Sequence, residues 1–138
     1  MIDVNDVILF KDRKVAIIKS TLNTRPVKID EKYDSLELIA FVIFVLQITY
    51  RFIVYHRSPN YDLSNLNLFI SAISSLACDD ASHVLTGDFN LPNMDWSNFT
   101  CLAGCGLIHE CFLKFIKPLA LNQHVVDTTH DNNTLVLF

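Results

Sequence analysis

The ten residues Thr86 to Asp95, TGDFNLPNMD, decide how this chain is read. They set a carboxylate, a carboxamide and a proline turn directly after a short β-type run, Ser82 to Leu85. At the carboxyl end of a strand in an α/β fold the backbone leaves the sheet, and side chains there project into an open crevice instead of a packed face. Gly87 lets the chain turn and Pro92 holds the exit. Asp88 and Asn90, two positions apart, fall on one side of extended backbone, so both reach a common ligand. Oxygen donors of this kind suit Mg²⁺ or Mn²⁺ and a phosphate. An Asp and an Asn flanked by Gly and Pro also cap their own turn, and spacing alone does not separate the two roles.

Outward from this stretch the chain alternates strand and helix signals. Upstream, Leu63, Leu66, Phe69, Ile70, Ile73, Leu76 and Ala77 recur at helical spacing behind a capping Asp62 or Ser64, and predict a helix with a core-facing stripe. Before the loop around Pro59, two buried strands are predicted at about Ser35 to Phe44 and Gln47 to Tyr55, with no Gly or Asn to mark the turn between them. Thr21 to Asp34 is polar, holds Pro26, and reads as a loop or irregular edge. Val4 to Phe10 and Val15 to Ile18 read as short strands around a charged turn. Downstream, a helix is predicted near Ile108 to Leu119, broken by Pro118, then strands at Val125–Val126 and Leu135 to Phe138. Trp96 is expected to pack the turn against the fold, and His83 to be an ordinary strand residue.

The run VLTGDFNLPNMDW, Val84 to Trp96, closely resembles the signature of the endonuclease/exonuclease/phosphatase superfamily, in the apurinic-type form carried by LINE-type non-LTR retrotransposons. Other segments agree in order. KDRKVAIIKS resembles the "RxDRxGGGvaiy" segment without its glycines, SLELIAF the "sxExlxv" strand, IVYHRSPN (Ile53 to Asn60) the "vYRpP" strand and loop, and LNQHVVDTTHDNNTLVLF (Leu121 to Phe138) the "LxQxVxxpTrxxNxLDLvf" end. The resemblance spans about Phe10 to Phe138 and is strongest from residue 53 onward. It implies an α/β fold, a fragment of the superfamily's two-sheet α/β sandwich, with residues 1–138 as a single partial domain.

The resemblance also implies chemistry, namely Mg²⁺-dependent hydrolysis of a DNA phosphodiester. Asp88 takes the role of positioning the attacking water, Asn90 that of holding the scissile phosphate, and Tyr55 that of a phosphate neighbour, with Asp88 and Asn90 as the metal's oxygen donors. Departures accompany the matches. The family's metal-binding glutamate belongs to an N-terminal portion without a counterpart here, its "SDH" triplet would follow Phe138, and Val136 stands where "LDL" has its aspartate. The expectation is therefore an inactive or nearly inactive fragment. Unpartnered sheet edges would favour self-association or a non-catalytic binding role.

Bulk properties bound the alternatives. The 138 residues suffice for one modest domain, and 51% hydrophobic content with 3 Gly and 4 Pro excludes a disordered or collagen-like chain. A net charge of −4 counts against strong nonspecific DNA affinity, and the one basic cluster, Lys11, Arg13, Lys14 and Lys19, reads as a solvated rim. Cysteines 78, 101, 105 and 111 suit reduced thiols in an intracellular chain. Cys101, Cys105 and His109 would share a helix face, but with Cys111 they do not follow the paired spacing of structural zinc. The apolar stretch from Leu36 to Tyr55 raises a membrane anchor as a rival, yet Glu37, Gln47 and Arg51 interrupt it and its β-branched and aromatic content favours strands. His130 replaces a basic residue of the resembled pattern.

Overall fold

The stretch with membrane-like hydropathy folds back on itself. In the computed structural model, which describes residues 7–11, 14–18, 21–124 and 136–137, strands β4 (Glu37–Val45) and β5 (Ile48–His56) pair antiparallel along their whole length. Val45 stands opposite Ile48, so Leu46 and Gln47 alone make the turn. Leu46 does so with a φ of 55° while 97% exposed, which explains why no glycine or asparagine announces the turn. Among the described residues no helix is long and apolar enough to cross a membrane.

Around this hairpin a five-stranded sheet assembles in the order β3, β4, β5, β6, β9, with β3 at Asn23–Pro26, β6 at Ser82–Asp88 and β9 at Val136–Leu137. The segment read as a loop or irregular edge thus supplies the edge strand. Its Pro26 lies on the sheet border, where a missing N–H is tolerated. A separate hairpin, β1 (Val7–Lys11) with β2 (Lys14–Ile18), lies near β4.

All pairings in the large sheet are antiparallel except β5 with β6. These two run parallel because α1 (Leu63–Leu76) carries the chain back across the sheet between them, a β-α-β unit. Asp62 caps α1 by accepting the Asn65 N–H at 3.1 Å, and Ser64 donates to the same carboxylate oxygen at 2.6 Å. Both residues proposed as alternative caps therefore take part. At the other end the Arg51 guanidinium donates to the carbonyl of Leu76 and, at 2.5 Å, to Asp79, tying the helix terminus to β5.

Of the predicted stripe of α1, Leu66, Phe69, Ile73 and Leu76 are buried, with Ala72 beside them, against Leu38, Ala40, Ile53, Tyr55 and Leu85 of the sheet, while Leu63 and Ile70 are half-buried and Ala77 is exposed. A second helix, α2 (Leu107–Ile116), adds Phe112, Leu113 and Ile116 to this core and gives way to a 3₁₀ turn at Lys117–Leu119, where Pro118 forbids continuation. On the other sheet face Phe41 and Phe52 stack across strands with centroids 5.2 Å apart. The fold is α/β, with helices on one face of a mixed sheet, and matches part of the sandwich implied by the sequence. The strand predicted at Val125–Val126, like His130, lies outside the described residues.

Candidate functional site

The parallel register between β5 and β6 sets Tyr55 opposite Gly87 and His56 opposite Asp88. Gly87 has a φ of 144°, and a Cβ added there would lie 1.7 Å from the Tyr55 carbonyl oxygen, so only glycine lets the two backbones approach this closely. On its other side β6 is flanked by β9, where Val136 stands opposite Gly87. The position that the resemblance gives to an aspartate is thus adjacent to the glycine before Asp88.

Beyond Gly87 the strand ends at Asp88, Phe89 drops into the core, and Asn90 turns the chain with a φ of 45°. Asn tolerates this left-handed conformation better than most residues. Asp88 supports the turn, since its Oδ1 accepts the Asn90 N–H at 3.0 Å. The backbones of two loops then interlock through Arg57. Its N–H donates to the Asp88 carbonyl at 2.8 Å, its Nη1 to the Asn90 carbonyl at 3.0 Å and its Nη2 to the Tyr61 carbonyl at 2.6 Å. In return Asn90 Nδ2 donates to the Arg57 carbonyl at 2.5 Å.

The turn-capping and ligand-binding roles of the Asp–Asn pair therefore coexist geometrically. One oxygen of Asp88 and the amide nitrogen of Asn90 are engaged in holding the loop. Asp88 Oδ2 and Asn90 Oδ1 make no hydrogen bond among the described residues and are the two oxygens left for a ligand. As Mg²⁺ donors they fit in kind, though the ion prefers six oxygens and most would have to be water or phosphate. Among the described residues, no group of three or more His, Cys, Asp or Glu side chains is arranged to hold a metal.

The structure brings Asp88 and Asn90 together and places Tyr55 apart from them. Side chains alternate along a strand, so Tyr55 points to the helix-covered face. Its ring is 1% exposed, stacks on Phe69 at 4.1 Å and meets the edge of Phe89 at 5.4 Å. Its hydroxyl is buried without a hydrogen-bond partner among the described residues. Burial pushes the phenol pKa well above its ordinary value.

The neighbour His56 instead occupies the row that ends at Asp88. Glu37, His56 and Asp88 stand in register across three adjacent strands, and His56 Nδ1 lies 2.8 Å from Glu37 Oε2. Neither His56 nor Glu37 was singled out in the sequence. Alternation requires one of Tyr55 and His56 to face the core, but register, which the sequence does not state, decides which residue faces Asp88. Arg57 was also missed, because a loop arginine gives no sign that it will be buried. It is 4% exposed, and burial lowers its pKa.

Other singled-out residues take structural places. Trp96 is buried with its ring edge-on to Phe112, 6.0 Å between centroids. Two short strands, β7 (Met94–Asp95) and β8 (Thr100–Cys101), carry the chain from the turn toward α2. Cys101 is in β8 and Cys105 in the following loop, so the shared helix face supposed for Cys101, Cys105 and His109 does not form. Cys105 Sγ donates to the Asn93 carbonyl at 3.1 Å, and desolvation with the neighbouring Cys101 pushes its thiol pKa up to about 11. His109 accepts the Gly106 N–H at Nδ1, which leaves Nε2 to donate to the Pro92 carbonyl at 2.8 Å.

The chain matches no described protein family, and no curated protein matches it. Among solved structures it resembles the endonuclease domain of TRAS1, a telomere-specific non-LTR retrotransposon, with a TM-score of 0.61 at 10% identity. The likeness covers 90% of this chain and 56% of that domain, so the chain spans little more than half of the structure it resembles. At this identity the two share a fold.

Proposed function

We propose that this chain is part of a metal-dependent endonuclease domain of the non-LTR retrotransposon type, acting on DNA phosphodiesters, and that the 138 residues alone have little or no activity. One observation carries the reading: Asp88 and Asn90 leave the carboxyl end of a strand in a β-α-β unit with one free oxygen each. Fold likeness to a retrotransposon endonuclease domain supports it.

In this reading Asp88 Oδ2 would orient the attacking water, and Asn90 Oδ1, an acceptor only, would hold Mg²⁺ or one of its waters, since the amide nitrogen that could hold a phosphate is bonded to the Arg57 carbonyl. Mg²⁺, when bound, supplies charge neutralisation on the phosphate oxygens. The Arg57 latch keeps both side chains at the mouth of the crevice, so neither has to be ordered when the substrate arrives. Tyr55 supports this arrangement from below as packing. His56, opposite Asp88 and bonded to Glu37, is the imidazole best placed to meet the substrate.

Two free oxygens hold Mg²⁺ weakly, because the ion gives up its waters reluctantly. Amide chemical shifts followed during Mg²⁺ titration test the site. Residues 87–91 should shift in the millimolar range, and Asp88→Asn should remove the effect. Micromolar affinity, or shifts elsewhere in the chain, would refute the assignment. Activity has its own test: no Mg²⁺-dependent nicking of supercoiled plasmid is expected, and nicking abolished by both EDTA and Asp88→Asn would show the chain to be a competent enzyme. A non-catalytic role, with the sheet edges pairing to a second copy or another partner, is the alternative reading, and light scattering tests its self-association arm.

A further inference from the structure

A cavity of about 550 Å³ opens beside the candidate site, walled by Arg57, Pro59, Asn90, Leu91 and Pro92 on one side and by Gly104 and Gly106 to His109 on the other. Two features of that wall are electropositive and lack an anion. The first is Arg57, whose guanidinium is buried and bonded only to backbone carbonyls, with Nε unpaired and no carboxylate partner among the described residues. A desolvated cation without a counter-charge is costly, and a bound anion removes that cost. The second is the amino end of α2, where the His109 side chain accepts the Gly106 N–H and the Gly106 carbonyl accepts the His109 N–H, which leaves the N–H groups of Leu107 and Ile108 without a hydrogen bond among the described residues. Leu107 and Ile108 line the same cavity, at the positive end of the helix dipole.

We propose that this cavity is an oxyanion subsite with room for a phosphate group, in which Arg57 supplies the charge and the Leu107 and Ile108 amides supply N–H donors. The choice of a DNA phosphate as the natural occupant rests on the endonuclease reading above, while the subsite itself does not. It lies next to the Asn90 turn, and Asp88 is not among the residues that line it. A nucleic-acid backbone held there would be anchored one or more phosphates away from the one presented to Asp88. The opposing charge in the same helical turn, Glu110, is exposed to solvent.

The test is a titration of ¹⁵N-labelled full chain with inorganic phosphate, matched for ionic strength with chloride. The amides of Leu107 and Ile108, and with them the Arg57 guanidinium resonances, should shift saturably with phosphate and not with chloride. Leu107→Asp places a carboxylate at an exposed first-turn position that favours the helix, so the fold is kept while binding weakens about tenfold. Arg57→Gln should abolish the shifts in protein that retains dispersed spectra. A second arm adds a short DNA duplex. Shifts at the same residues at lower concentration identify nucleic-acid phosphate as the occupant, whereas phosphate binding without a DNA response keeps the subsite and overturns the DNA assignment. No saturable response to phosphate, or one unchanged in Leu107→Asp, overturns the subsite, whatever the outcome of the nicking assay.

Discussion

Asn90 and Arg57 hold each other by two hydrogen bonds that run in opposite directions. Arg57 Nη1 donates to the Asn90 carbonyl, and Asn90 Nδ2 donates to the Arg57 carbonyl. The loop after β5 and the turn after β6 thereby become one unit, and the carboxamide oxygen of Asn90 is aimed by the bond its nitrogen makes.

Substitutions at Asn90 should separate conformation from bonding. Asn90→Ala loses the bond to Arg57 and keeps a side chain in a left-handed conformation, and should cost about 2 kcal/mol. Asn90→Gly loses the same bond but adopts the backbone freely, so it should be the more stable of the two by about 1 kcal/mol. Urea unfolding of the pair measures the difference. Equal stabilities would mean that the φ of 45° carries no strain.

Gly87→Ala should be far more damaging. The added methyl would meet the Tyr55 carbonyl at 1.7 Å, and relief requires β5 and β6 to separate beside the site. A loss of about 4 kcal/mol or more is expected, enough to unfold a marginal domain. Retention of cooperative thermal unfolding near the parent Tm would contradict the close approach of these strands.

Tyr55→Phe removes a buried hydroxyl that has no partner among the described residues and leaves the stack on Phe69 intact. Stability should stay the same or rise by about 1 kcal/mol. Tyr55→Ala, in contrast, should cost about 3 to 5 kcal/mol through the cavity it leaves. A drop in Tm for the phenylalanine variant would reveal a bonded hydroxyl.

Leu46→Asn should raise Tm. The leucine holds a left-handed φ almost entirely in solvent, so asparagine relieves up to about 1 kcal/mol of strain and removes an exposed apolar side chain. An unchanged or lower Tm would show that the β4–β5 turn rests on contacts made by the leucine.

What the sequence disclosed and what it concealed divide along one physical line. The α1 stripe, the break at Pro118, the strand entering TGDFN and the loop-borne Asp88 and Asn90 all follow from local rules of periodicity, capping and turn chemistry. The β4–β5 turn was hidden because Leu46 adopts a conformation its type disfavours. His56, Glu37 and Arg57 stayed hidden because their positions depend on inter-strand register and on the burial of a loop, neither of which has a sequence period. Tyr55 was placed near the phosphate by motif resemblance, and the same register turns its side chain to the opposite face from Asp88.

The parallel pairing of β5 with β6 also favours an order of assembly. The β4–β5 hairpin closes across two residues and has little loop entropy to overcome, whereas β6 reaches β5 only by closing the much longer connection that contains α1. The Arg57–Asn90 latch joins residues 33 apart and follows that docking. Until then β5 is an open edge, free to recruit a strand from another chain. The candidate site therefore doubles as the lock on a kinetic race, in which every molecule that completes it has also closed the edge through which it would otherwise aggregate.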